Sequence, residues 1–468
     1  MHHRTLLAGL IAAALFSHSL AAATPELPRT PGQPYRVSGL ADRIVLTPGA
    51  DPARQMAISY RTDARQTLSE IQLAPALDSP LLAERARTIS GETPRALHSE
   101  NGDARYHQVR LDDLQPGQAY VYRVKGHDGW SEWLQFRTAR AGFAPFRFIY
   151  LGDVQNDILA LASRTVRQAL HSTASPALVV HAGDLVSQRD DLAHDDEWGE
   201  WNQAGGFHYA QVPQLPAVGN HEYLDQLDSQ GRESRVLGPH WPLQFALPRN
   251  GAEGAAETSY RVDYQGVRFI VLDGTSALDL GTLERQGRWL ETQLEGSQAH
   301  WNIVVVHQPL FTCARPGDSE PLKQAWQPIL ERHDVDLVLQ GHDHCYSRLS
   351  HPDGHARASQ ERQAGAAQQG PVYLVSVAGS KMYGVNDRTA GQPDRNAEDT
   401  QLYQTVEVGA ERLEVRSYTA SGRLYDAFDL VREGGRKYLH QPALELPPLR
   451  ACEGTQGPDG LPCSARPK

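Results

Sequence analysis

The run Phe146-Arg147-Phe148-Ile149-Tyr150-Leu151 breaks at once into Gly152-Asp153-Val154-Gln155. A short, nearly unbroken apolar run reads as a strand buried on both faces, as in sheets covered by helices. Four more runs read alike: Ala177 to Val180, Trp301 to Val306, Val335 to Leu339 and Val372 to Val377. Between them, Asp157 to Ser172, Thr282 to Leu294 and Ser319 to His333 carry helical patterns, and Tyr260 to Leu272 reads as a hairpin turning at Gln265-Gly266. Strands and helices in this order predict an α/β domain over 144–432. In open α/β sheets, sites form outside the carboxyl ends of the strands.

Upstream the pattern changes. Val37, Ile44, Val45, Met56, Ile58 and Tyr60 fall in short alternating runs broken by Gly, Pro and Asp. They predict a small β-sandwich over 35–140. Its clearest stretch is Val109 to Val124: a strand, the Pro116-Gly117 turn, then a strand with Tyr120, Tyr122 and Val124 on one face. With Trp130, Trp133 and Phe136, this segment resembles a fibronectin type III domain, which implies seven strands in two sheets. Residues 1–23 read as an export signal, with Arg4, the apolar Leu6 to Phe16 and the small-residue site Ala21-Ala22-Ala23. A periplasmic or secreted location is therefore expected. No later stretch reaches ~18 uninterrupted apolar residues, so the mature protein is expected to be soluble, without a membrane span. Residues 433–468 read as a Pro/Gly-rich tail, poorly ordered outside a cysteine loop. The formal net charge of -11 over 468 residues argues against a nucleic-acid partner, which needs clustered Lys and Arg. It leaves a phosphate substrate open, because two divalent ions can reverse the local field.

Polar, metal-binding residue types recur at the ends of the apolar strands. They are Gly152-Asp153-Val154-Gln155, Gly183-Asp184, Gly219-Asn220-His221-Glu222, Val306-His307 and Gly341-His342-Asp343-His344. Any one Gly-Asp or Gly-His pair is ordinary turn chemistry. Together they offer carboxylate and amide oxygens suited to hard ions and imidazoles suited to Zn, Fe or Mn. A glycine beside a ligand lets the backbone turn sharply and approach the ions.

The motifs in this order resemble the calcineurin-like metallophosphoesterase superfamily. With the sandwich in front, the chain is most similar to the purple acid phosphatase branch. The resemblance implies a four-layered α/β/β/α sandwich behind the β-sandwich, with two divalent or mixed-valence ions of Fe, Mn or Zn. It implies that Asp184 bridges them. Asp153, Gln155 and His344 would bind one ion, and Asn220, His307 and His342 the other. Asn220 and His221 would also face the substrate, His221 stabilising the phosphoryl oxygens or protonating the leaving oxygen. The implied reaction is hydrolysis of a small-molecule phosphate monoester by a metal-bound hydroxide. Phosphodiester or nucleotide hydrolysis by the same site is the alternative. A non-catalytic exported module with a degenerate metal site is the alternative of another class.

The chain departs from that branch at three places. Ser187 stands where a Tyr gives the purple colour, so a colourless enzyme is expected. Gln155 replaces the His of many relatives, and Pro316 and Gly317 stand where two histidines are usual. Arg315 is a candidate phosphate contact, or else an ordinary surface arginine. Four cysteines allow three pairings. Convergence of the ligand loops would favour Cys313 with Cys345, leaving Cys452 with Cys463. Asp195-Asp196-Glu197 reads as a helix start, with acidic residues at the positive end of the dipole. Asp343 would orient a ligand or face water. Tyr383 would border the pocket, and His194 and His208 read as ordinary loop or core residues.

Overall fold

The computed structural model describes residues 34–191, 193–227, 230, 233–350, 367–387 and 393–465. The export signal expected at 1–23 lies outside them. The first described domain is a β-sandwich of β1 (Asp42–Pro48), β2 (Met56–Asp63), β3 (Glu70–Pro75), β4 (Arg87–Ser90), β5 (Arg95–Ser99), β6 (Gly102–Leu111), β7 (Ala119–Val124) and β8 (Leu134–Arg137). The sheets are β1-β2-β6-β5 and β4-β3-β7-β8, so there are eight strands where the fibronectin likeness implies seven. Leu46, Ile58, Tyr60, Val109, Tyr122 and Val124 fill the space between the sheets. At the Pro116-Gly117 turn, Gly117 takes φ +68° and the Tyr120 hydroxyl accepts from the Gln115 amide at 2.9 Å. That bond is the corner device of such sandwiches.

The second domain contains β9 (Phe146–Leu151), α1 (Ser163–Ser172), β10 (Leu178–His181), α2 (Asp196–Gly205), β11 (Gln214–Pro216), β12 (Tyr223–Leu227), β13 (Glu233–Leu237), α3 (Trp241–Gln244), β14 (Tyr260–Tyr264), β15 (Val267–Leu272), α4 (Gly274–Asp279) and α5 (Leu283–Leu294). It continues through β16 (Trp301–Val306), α6 (Glu320–Arg332), β17 (Leu337–Gln340), β18 (Tyr346–Leu349), β19 (Val372–Val375), β20 (Arg395–Ala397), β21 (Leu402–Val408), β22 (Arg412–Thr419), β23 (Leu424–Glu433) and β24 (Arg436–His440). One sheet runs β11-β10-β9-β21-β22-β23-β24, and the other β14-β15-β16-β17-β19-β18-β20. Both are mixed: β9, β10 and β11 are parallel, as are β15, β16, β17 and β19, and antiparallel strands flank them. The expected hairpin is β14–β15, with Gln265 and Gly266 at φ +45° and +84°. The helix expected from Asp157 begins with a wide turn over Ile158–Ala162 before α1.

Strand periodicity explains why the apolar runs are unbroken. In β16, Trp301, Ile303 and Val305 enter the core shared by the two sheets, while Val304 and Val306 enter the core beneath α4, α5 and α6. In β15, Val267, Phe269 and Val271 face the first core, and Ile270 and Leu272 the second. Each strand therefore needs apolar residues on both faces. The tail does not hang free as expected. β24 extends the first sheet, and farther on Arg450 donates its amide to the Tyr425 hydroxyl at 3.1 Å.

Asp195, just before α2, joins the two domains. It is fully buried and accepts from Arg43 and Arg61 on β1 and β2, from the Asn101 amide at 3.0 Å and from His240 at 3.0 Å. Burial opposes its ionisation, but the bonds from His240, Arg43 and Arg61 outweigh burial and hold the carboxyl well below its ordinary range. A depressed folded-state pKa means that this stabilisation is complete above the unfolded pKa, about 3.9, and fades only as pH falls through the folded value. Asp195→Ala strands the buried Arg43 guanidinium, leaves Arg61 with Asp42 alone, and should lower stability by about 3–5 kcal/mol. Denaturant titration at pH 5 and pH 8 should show the same loss at both. An unchanged midpoint would contradict this role.

Candidate metal centre

The strand-end residues meet in one buried volume. Asp153 and Gln155 follow β9, Asp184 follows β10, Asn220 and His221 follow β11, His307 follows β16, and His342 and His344 follow β17. Each of these strands is parallel to a neighbour, and the turns leave the carboxyl ends. Two donor sets result: Asp184, His307 and His342, and Asp153, Asp184 and His344. In each, one donor atom per residue lies within 4.8 Å of the others. Asp184 belongs to both. Its Oδ2 lies 3.1 Å from His307 Nε2 and 2.8 Å from the Gln155 amide nitrogen, and its Oδ1 accepts from the His221 amide at 2.9 Å. The Asn220 side-chain oxygen is 3.2 Å from His307 Nε2, and His342 Nδ1 is 3.1 Å from that same atom.

Local backbone geometry turns these donors inward. Asp153, Asp184, His342 and His344 all have positive φ, between +35° and +71°. Such conformations cost side-chain-bearing residues on the order of 1–3 kcal/mol each and cluster at functional sites. Two glycines are required by close approach: a Cβ on Gly219 would fall on Asp184 Oδ1, and one on Gly341 on Asp153 Oδ2.

Hydrogen bonds orient the imidazoles. His307 Nδ1 donates to the Ala182 carbonyl at 2.7 Å and His344 Nδ1 to the Lys381 carbonyl at 3.0 Å. A carbonyl can only accept, so each Nδ1 carries a proton and Nε2 is the nitrogen turned toward the site. His221 Nδ1 donates to the Ser187 carbonyl, leaving its Nε2 3.9 Å from Asp184 Oδ2. The Ser187 hydroxyl turns away onto Glu197, whose carboxylate also takes the Ser187 and Gln188 amides.

The electrostatics suit cations. Burial, with the Asp184 charge adding, pushes the Asp153 carboxyl up to about 8. Burial pushes Glu222 up to about 7, again with Asp184 contributing. Burial alone would lower His307, but the Asp184 carboxylate outweighs it and holds the imidazole up at about 9. Burial and the Lys381 charge push His344 down to about 3. Protons here do the work that metal cations would do, compensating buried carboxylates. Asp153 Oδ1 and Gln155 Oε1 are buried without a hydrogen-bond partner among the described residues. These orphaned oxygens, with three inward ring nitrogens, fit a pair of ions.

Other candidates find different places. Arg315 is held by Asp343 and by the His342 carbonyl at 2.8 Å. Asp343 does not face water: it is fully buried and accepts from the Cys313 and Ala314 amides. Cys313 pairs with Cys345 and Cys452 with Cys463. Tyr383 stands edge-on to the His344 ring, with centroids 5.0 Å apart. His194 pairs with Glu100, and His208 stacks on Phe207. The sequence reading assigned no role to Glu222. It accepts from the Asp184, Leu185 and Gly219 amides at 2.6–3.0 Å and so fixes the Asp184 turn. Its one sequence signal is its place directly after His221.

Residues 146–346 match the calcineurin-like phosphoesterase family, and residues 41–138 match the purple acid phosphatase N-terminal domain. An uncharacterized protein of Mycobacterium tuberculosis is 29% identical over 285 residues, 54% of this chain and 52% of its own. The match thus spans about half the length of that relative. Phosphoenolpyruvate phosphatase of Allium cepa is 25% identical over 347 residues, covering 71% of this chain and 68% of its own. The structure of purple acid phosphatase PPD1 from yellow lupin (Lupinus luteus) seeds has the same fold, with a TM-score of 0.65 at 16% identity, covering 84% of this chain and 75% of that one. The chain thus carries a calcineurin-like phosphoesterase domain over residues 146–346, preceded by a purple acid phosphatase N-terminal domain over residues 41–138.

Proposed function

We propose that this chain is an exported phosphatase that hydrolyses small-molecule phosphate monoesters with two bound ions of Fe, Mn or Zn. Asp153, Gln155 and His344 would hold one ion and Asn220, His307 and His342 the other, with Asp184 available to both. The observation that carries this reading is the pair of donor sets sharing Asp184. When bound, the ions supply Lewis acidity toward phosphoryl oxygens and bring the pKa of water toward neutrality. Two disulfides agree with export from a signal at 1–23 into an oxidising compartment. The working units are 35–140 and 144–432, followed by 433–468.

The chain's own residues position and protonate. Burial pushes the His221 imidazole below its ordinary value, so the metal-free site holds it neutral near pH 7. A phosphate dianion beside it favours the imidazolium. Its Nδ1 stays on the Ser187 carbonyl, so the proton to be handed to the leaving oxygen sits on Nε2. The Asn220 amide and the partly exposed Arg315 guanidinium contact the phosphoryl oxygens. Asp343 and the Cys313–Cys345 bridge hold the turn bearing His342 and His344 against the loop after His307.

Turnover of an aryl phosphate monoester should exceed that of the matching diester once Fe, Mn or Zn is restored to stripped protein; the reverse preference would make the protein a diesterase. A protein that stays metal-free and inactive would instead be a binding module. His221→Ala should lower kcat roughly 10²–10⁴-fold. Elemental analysis should show its metal content unchanged, and metal loss would make His221 a ligand instead. Asp343→Ala should weaken metal retention about 10–100-fold in chelator competition. Equal retention would show that the turn needs no such anchor.

A further inference from the structure

Two cations face the Tyr383 ring beside His344. Arg315 Cζ lies 5.9 Å from the ring centroid and Lys381 Nζ 5.7 Å. Their surroundings differ. Arg315 is tied to Asp343 and the His342 carbonyl. Lys381 contributes its backbone carbonyl to His344 Nδ1, and its half-buried ammonium forms no ion pair with a carboxylate among the described residues. An ammonium fixed beside a cluster that collects cations is electrostatically uphill. An anion placed between them relieves both.

We infer that Lys381 is a substrate-recognition residue whose ammonium binds the terminal phosphoryl oxygens of a dianionic phosphate monoester. This rests on the phosphatase reading and deepens it. A monoester brings a second negative charge to that ammonium, and a diester does not. Lys381 thereby selects the monoester, and Tyr383 sets its direction through the ring face.

The test uses the full metal-loaded chain and Lys381→Met, which keeps length and apolar stem but removes the charge. The backbone carbonyl that orients His344 stays in place. Metal content should match the wild type. KM for an aryl monoester and the competitive inhibition constant of orthophosphate should both rise about 10–100-fold, as for a lost charged hydrogen bond. The effect on kcat should be much smaller, and the diester KM should move less than the monoester KM. Lys381→Arg should recover most of the loss. Unchanged KM and phosphate inhibition in an active, metal-loaded Lys381→Met protein overturn the inference alone. If the wild type loads metal but turns nothing over, calorimetric orthophosphate binding decides it, equal affinity in both proteins counting against it. A wild type that holds no metal overturns the phosphatase reading and this inference together.

Discussion

The Asp184 carboxylate is buried at a point where two sets of donors meet, and it is the shared member of both. A carboxylate in that position cannot remain an isolated charge, because desolvation without compensation is too costly. Here its oxygens take the His307 ring, the Gln155 amide and the His221 backbone. The surrounding backbone gives way to make room: Gly219 carries no side chain to strike the carboxylate, and Asp184 itself sits at φ +51°. The arrangement trades local conformational comfort for convergence of charge, as at sites where preorganisation is the function.

Around that point lies a shell of bonds that hold the turns rather than join the chemistry. Glu222 fixes the Asp184 turn, Asp343 fixes the loop after His307, and Glu197 fixes the Ser187 turn that in turn orients His221. Glu197 lies in the first turn of α2, just after the residue that anchors the N-terminal sandwich through Arg43 and Arg61. A contiguous path therefore runs from the sandwich, through Asp195 and α2, to the His221 imidazole. The sandwich is thus a brace for the second domain at one side of the site.

Much of the site was legible because each candidate donor lies one to four residues past a buried strand. A strand's end point is set locally, by where the apolar run stops, and parallel neighbours then bring those ends together. Asp153, Asp184, His307, His342 and His344 are all of this kind, and so were read correctly as neighbours. What escaped depends on pairing across long sequence separations. Asp195 does stand at the start of a helix, as read, but its buried ion pairs were not legible because Arg43 and Arg61 carry no mark of their partner. Asp343 could be read two ways because the amides it accepts belong to Cys313 and Ala314, some 30 residues away. Lys381 sits in no motif. The eighth sandwich strand, β4, is short and mostly exposed, so it lacks the alternation that betrays a strand. The docking of the tail depends on single bonds such as that of Arg450 to Tyr425.

The proposed function requires two ions that share Asp184. Anomalous diffraction from crystals of metal-loaded protein, recorded at the Fe, Mn and Zn edges, addresses it directly. Two ion peaks per chain are expected, one on each side of the Asp184 carboxylate, bounded by Asp153, Gln155 and His344 on one side and by Asn220, His307 and His342 on the other. A single peak, or peaks that Asp184 does not touch, would contradict it.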